Sequence, residues 1–159
     1  MLEKRPDWHT YFMKMAFLVS ERSTCLRRQV GAVIVRDNQI LSTGYNGAPK
    51  RVPHCSQTGC LRQNISVPSG ERHELCRGVH AEQNAIIQAA INGTSIRNAD
   101  LYCTNQPCSI CAKMLINAEI KTIIVSEIYE DKLARTLLEQ AGINVFHFDM
   151  ETRKLTKVV

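Results

Sequence analysis

The sequence predicts an α/β fold: a mixed sheet of about five strands with helices packed on its faces. Three observations predict it. An amphipathic segment precedes a hairpin signal, and helical and strand-like segments then alternate along the rest of the chain. One strand segment, Thr122-Ile123-Ile124-Val125, is apolar without a break, as expected of a strand covered on both faces. The 159 residues suit one domain, 1–159, and no shift in composition marks a boundary within it.

Residues 8–21 read as the first helix, with Tyr11, Phe12, Met15, Leu18 and Val19 at helical spacing and expected to pack into the core. Residues 29–36 and 39–45 are β-rich, and Asp37-Asn38 between them is a two-residue hairpin signal. Residues 46–78 are irregular, rich in Gly, Pro, Ser and polar side chains. So long a stretch inside a compact domain needs an organiser. A helix over 80–91 stops near Gly93, a strand covers 99–104, and a helix over 107–118 opens with Pro107 at its first position. A strand over 121–126, a helix over 131–141 followed by Gly142, and a strand over 143–148 complete the pattern.

Composition narrows the class. The chain is 44% hydrophobic and 22% charged, ordinary values for a globular protein. No apolar run approaches the roughly 20 residues that span a bilayer, so no membrane partner is expected. The opening, Met1-Leu2-Glu3-Lys4-Arg5-Pro6-Asp7, lacks the apolar centre of a signal peptide, and a cytoplasmic location is the expectation. Without an export signal, seven cysteines point to metal ligation rather than a disulfide framework. A net charge of +5 favours anionic partners such as phosphates, although solubility alone would explain so small a charge.

The chemistry is concentrated in Val79-His80-Ala81-Glu82 and Pro107-Cys108-Ser109-Ile110-Cys111, each opening a helix. Cys108 and Cys111, three residues apart, share one helical face, and the positive end of the helix dipole favours their thiolates. With His80 they make three ligands, the number a catalytic zinc takes while leaving its fourth position for water. Glu82 stands clear of the metal and is the candidate proton carrier. A lone CxxC also suits a redox pair or a structural zinc. H-A-E opening one helix and P-C-x-x-C opening the next is far more specific, and it is the known signature of zinc nucleobase deaminases.

On these motifs the chain resembles the cytidine deaminase superfamily, and within it the deoxycytidylate deaminases. The resemblance extends to Trp8, Tyr11-Phe12-Met13, Arg22-Ser23-Thr24-Cys25, the Val30–Val35 run and Gly44-Tyr45-Asn46-Gly47. It implies a three-layer α/β/α fold around a five-stranded mixed sheet. It also implies attack of zinc-activated water on C4 of a cytosine ring, with Glu82 shuttling protons, and the 5′-monophosphate dCMP as substrate. Asn46 resembles the family asparagine that contacts the sugar, and Arg22, Ser23 and Arg27 are the candidates for the 5′-phosphate. Tyr129 is expected at the border of the site, stacking on or capping the pyrimidine, or as a merely exposed tyrosine. A homohexamer and regulation by dCTP and dTTP are further implications of the resemblance.

Cys103 reads as a small buried hydrophobe. Cys25, Cys55, Cys60 and Cys76 remain, and relatives that carry a second, structural zinc make these four its expected ligands, with His54 and His73 as alternatives. Residues 46–78 hold five basic residues against two acidic ones, which suits a phosphate-bearing substrate. Two rivals stand beside this reading. One is a deaminase of the same superfamily acting on cytidine, cytosine, guanine or tRNA adenosine. The other is a non-catalytic zinc module binding nucleic acid, which would leave Glu82 without a use; no nucleic-acid partner is expected.

Overall fold

The computed structural model describes residues 5–159; Met1 to Lys4, part of the opening read above as lacking a signal peptide's apolar centre, lie outside the described residues. Helix α1 (Trp8–Ser20) starts where the Asp7 carboxylate accepts the Thr10 N–H at 2.9 Å. The strands β1 (Gly31–Arg36) and β2 (Gln39–Tyr45) form the expected hairpin. Asp37 and Asn38 both take positive φ, 52° and 59°, which a two-residue turn matched to the sheet's twist requires.

After a long insertion come α4 (Ala81–Ile91), β3 (Asp100–Asn105), α5 (Ser109–Asn117), β4 (Thr122–Glu127), α6 (Lys132–Gln140) and β5 (Asn144–Phe148). Within the insertion lie two four-residue helices, α2 (Cys55–Thr58) and α3 (Leu61–Asn64), and a short 3₁₀ turn (His73–Leu75). A sixth strand, β6 (Leu155–Lys157), corrects the expectation of five. It pairs antiparallel with β5 around a turn in which the Asp149 carboxylate accepts the N–H groups of Glu151 and Thr152. Three residues flanked by charge carry too little alternation to be read as a strand.

The sheet order is β2-β1-β3-β4-β5-β6, with β3, β4 and β5 parallel and the remaining pairs antiparallel. Strand alternation sorts the core into two layers. Val33, Val35, Tyr102, Ile124 and Phe148 meet Phe12, Met13 and Ala16 of α1 on one face. Ala32, Ile34, Leu101, Ile123 and Val145 meet α4, α5 and α6 on the other through Ala85, Leu115 and Leu138. The three-layer α/β/α reading therefore holds. The face of α1 does not hold as read: Tyr11 and Leu18 are exposed, while Met13 and Ala16 are fully buried. A fully buried Met or Phe side chain such as Met13 or Phe12 contributes roughly 1.5–3 kcal/mol.

One glycine brings α4 down onto the sheet. A Cβ at Gly44 in β2 would stand 2.2 Å from the Ala81 carbonyl oxygen and 2.4 Å from the Ala85 nitrogen. Only a residue without a side chain lets the first turn of α4 sit this close. Asn84 then donates to the Tyr45 carbonyl at 2.7 Å and pins that turn to β2.

Candidate active site and metal centre

Two helix N-termini converge at one end of the sheet. His80 is the N-cap of α4 and Cys108 the N-cap of α5, so both helices begin one or two residues later than their sequence suggests. Pro107 consequently precedes the cap and does not occupy the first helical position, a correction that places Cys108 and Cys111 at N-cap and N3. Side chains at those two positions converge on the orphan N–H groups of the helix start.

Cys108 Sγ lies 3.5 Å and Cys111 Sγ 3.3 Å from His80 Nδ1. The ligand atoms of all three lie within 4.8 Å of one another, the group of this kind found among the described residues. The hydrogen bond from Cys111 and contact with His80 hold the Cys108 thiol down to about 3 against the opposing effect of burial. The same bond and burial push the Cys111 thiol up. Two thiolate-forming sulfurs and one imidazole are a donor set that fits zinc and leaves a tetrahedral position open.

Glu82, in the first turn of α4, is only 4% exposed and shares the cavity wall with His80 and Cys108. Burial raises its carboxyl above the ordinary carboxylate range, opposed by the neighbouring His80. Two residues missed in the sequence hold the ligands in place. Gln83 Oε1 accepts the His80 N–H at 2.8 Å, half of a capping box that the spacing His80-x-x-Gln83 already signalled. Asp131 accepts from Ala134 N at 2.9 Å and from Ser109 N at 2.8 Å, tying the turn after Cys108 to α6.

The insertion forms the opposite wall. Arg27, Asn46, Tyr129 and all of Cys25, Cys55, Cys60 and Cys76 line the same cavity. Asn46 spends its amide on the backbone, accepting from Val30 N and donating to Arg28 O, each at 2.8 Å. Ser23 is buried and donates to the Asn46 carbonyl at 2.8 Å, so it braces this loop and does not line the cavity. Arg22 is exposed and likewise does not line it. Tyr129 reaches across to the insertion and donates to the Gly70 carbonyl at 3.1 Å. Gly70 has φ +84°, and a Cβ there would meet the Tyr129 ring at 2.8 Å. Burial first, then the charges of Cys25, Cys60 and Cys76, raises the Cys55 thiol, but no three of these four sulfurs lie within 4.8 Å of one another as the ligand atoms of His80, Cys108 and Cys111 do. His54 shares a hydrogen bond with Thr24 at 3.2 Å. His73 instead packs edge-on against His80, with centroids 5.1 Å apart and both ring nitrogens buried without a partner.

Residues 6–127 match the model of the cytidine and deoxycytidylate deaminase zinc-binding region, and the chain belongs to that family. Its curated relatives include the deoxycytidylate deaminase of Schizosaccharomyces pombe, 38% identical over 89% of this chain and 44% of the relative. The deoxycytidylate deaminase of Saccharomyces cerevisiae is 39% identical over 94% of this chain and 48% of its own. The chain thus spans about half the length of these two relatives. The crystal structure of a dCMP deaminase from cyanophage S-TIM5, in complex with dCMP and dUMP, matches with a TM-score of 0.74 at 30% identity, covering 90% of this chain and 98% of that one.

Proposed function

We propose that residues 1–159 act as one deaminase domain that hydrolyses dCMP to dUMP and ammonia, supplying dUMP for thymidylate synthesis. The observation that carries this is the buried Glu82 carboxyl beside the His80, Cys108 and Cys111 donor set, on the wall of a cavity that four arginines also line. The likeness to yeast and phage proteins named for deoxycytidylate deamination supports the choice of substrate.

His80 Nδ1, Cys108 Sγ and Cys111 Sγ would hold the zinc, which when bound supplies the Lewis acidity that makes water nucleophilic near neutral pH. Glu82 takes one proton from the attacking water and passes it to the ring nitrogen as the C4–O bond forms. It then moves the remaining hydroxyl proton to the exocyclic amine, and the C4–N bond breaks to release ammonia. A carboxyl raised by burial is matched to a proton it must both accept and return. The N-cap of α4 and the Gln83 brace keep His80 oriented while the proton moves.

Cys25, Cys55, Cys60 and Cys76 would hold a second, structural zinc and so provide the organiser that the insertion requires. Asn46 and Arg27 border the sugar and phosphate end of the substrate, and Tyr129 caps the opening. A homohexamer, a cytoplasmic location and control by dCTP and dTTP complete the reading. Exposed Trp8, Tyr11 and Leu18 on α1 offer apolar area for assembly, and no described helix is long and apolar enough to cross a membrane. Sedimentation and dCMP saturation curves with each triphosphate test assembly and control.

Ammonia release measured across dCMP, CMP, dCTP, deoxycytidine and cytosine tests the function. Turnover fastest with dCMP is expected. Equal efficiency on deoxycytidine or cytosine would overturn the nucleotide assignment and leave deamination standing.

A further inference from the structure

None of the four arginines lining the cavity pairs with a carboxylate among the described residues, and Arg62 is the most buried of them. Arg62, in α3, is 7% exposed and lines the cavity that His80 and Glu82 also line. Its Nη2 donates to the Pro68 carbonyl at 3.3 Å, and its Nε is buried with no acceptor among the described residues. The ion pairs of the described residues, Arg72–Glu74, Arg97–Glu119 and Arg135–Glu139, are all exposed and none involves Arg62. Glu82 is the only carboxylate among the described residues lining the cavity, and the proton transfer occupies it. A guanidinium taken out of water with a buried Nε–H left unpaired is unfavourable unless an anion completes it.

Arg27 repeats the pattern from the segment after α1. It lines the same cavity, and its Nη1 is buried without an acceptor. Two arginines from separate segments, each with an unpartnered buried donor, make a setting for one tetrahedral anion.

We propose that Arg62 is the residue that separates nucleotide from nucleoside: its guanidinium takes a 5′-phosphate oxygen, and Arg27 takes a second. This rests on the nucleotide reading above and assigns it to a residue of the insertion. The contact with Pro68 holds the fork in place, so the arginine is oriented before the substrate arrives. A lysine would keep the charge and lose the planar pair of donors.

The test uses the zinc-loaded full chain and its Arg62→Gln and Arg62→Lys variants, read in two ways. The first is the ratio of kcat/KM for dCMP to that for deoxycytidine. It should fall about 10- to 100-fold in Arg62→Gln, through KM, and by less in Arg62→Lys. An arginine that only stapled the loop at Pro68 would depress both substrates together and leave the ratio unchanged, which would overturn the assignment. The second readout is thermal protection by inorganic phosphate, present in the parent chain and reduced in both variants. Protection undiminished in Arg62→Gln also overturns the assignment, even if Arg62→Lys is the only variant that folds well enough for kinetics and shows a change. Phosphate protection that depends on Arg62, with a parent enzyme that does not prefer dCMP, would sink the nucleotide reading and keep the anion site.

Discussion

The two walls of the cavity are built on different physics. The wall bearing His80, Glu82, Cys108 and Cys111 consists of two helix starts set on a sheet whose core residues are almost wholly buried. The facing wall, residues 46–78, carries only two four-residue helices and a 3₁₀ turn, and Ile65 in it is 61% exposed. Its fastenings are individual contacts: the Gly47–Val79 bridge and Tyr129 on Gly70. The first wall is rigid because packing leaves it one arrangement. The second depends on whatever its cysteines and arginines bind. On the proposed function, reaction chemistry belongs to the sheet side and substrate choice to the insertion.

Substitutions on each side should separate these roles. Glu82→Gln is expected to lower kcat by about 10²–10⁴-fold or more while zinc content and melting temperature stay near the parent's, because the amide keeps the shape and cannot carry the proton. Near-parental turnover would remove Glu82 from the reaction. On the other wall, Cys55→Ser with Cys60→Ser should lower zinc from about two ions per chain to one and expose residues 46–78 to proteolysis, with residual deamination retained. Metal analysis by mass spectrometry checks this, and an unchanged count would mean that these sulfurs hold no ion.

Gly70→Ala should cost about 1–3 kcal/mol, since it forces a left-handed residue and drives a methyl into Tyr129. The melting temperature would fall by a few degrees and KM for dCMP would rise. Tyr129→Phe, which removes only the hydrogen bond, should cost less, about 1 kcal/mol. The smallest effect is expected on the rigid side. Burial acts to raise the Asp131 carboxyl, yet the N–H groups of Ala134 and Ser109 outweigh it and hold the group below its ordinary 3.8. Its stabilisation is therefore present above about pH 4 and is lost as the pH falls through the depressed value. Asp131→Asn should lower stability by about 0.5–1 kcal/mol at pH 7, with the difference vanishing at low pH in urea titrations.

Much of the rigid wall was legible in the sequence and little of the other. His80 and Glu82 are two residues apart and Cys108 and Cys111 three, each pair at a helix start, and helix geometry puts the two sulfurs on one face. The α/β alternation was legible for the same reason: periods of 3.6 and 2 are properties of neighbours along the chain. The limits of such reading show in α1. Tyr11 and Leu18 fit the spacing, but the face that packs is the one carrying Met13 and Ala16, chosen by where Val33 and Tyr102 stand on the sheet.

What the sequence by itself determined is therefore the order of the main helices and strands through β5, the three-layer class and the candidate metal-ligand trio with its carboxyl. The tertiary structure alone decided which cations face that trio. Arg62 looks like an ordinary polar residue of a loop, and of the phosphate candidates Arg22 and Arg27 only Arg27 lines the cavity. It also decided that Tyr129 fastens Gly70, 59 residues away, and that Asp131 steadies Ser109, 22 residues away. Contacts of that kind leave no period in a sequence, because chain closure and the packing of distant segments create them.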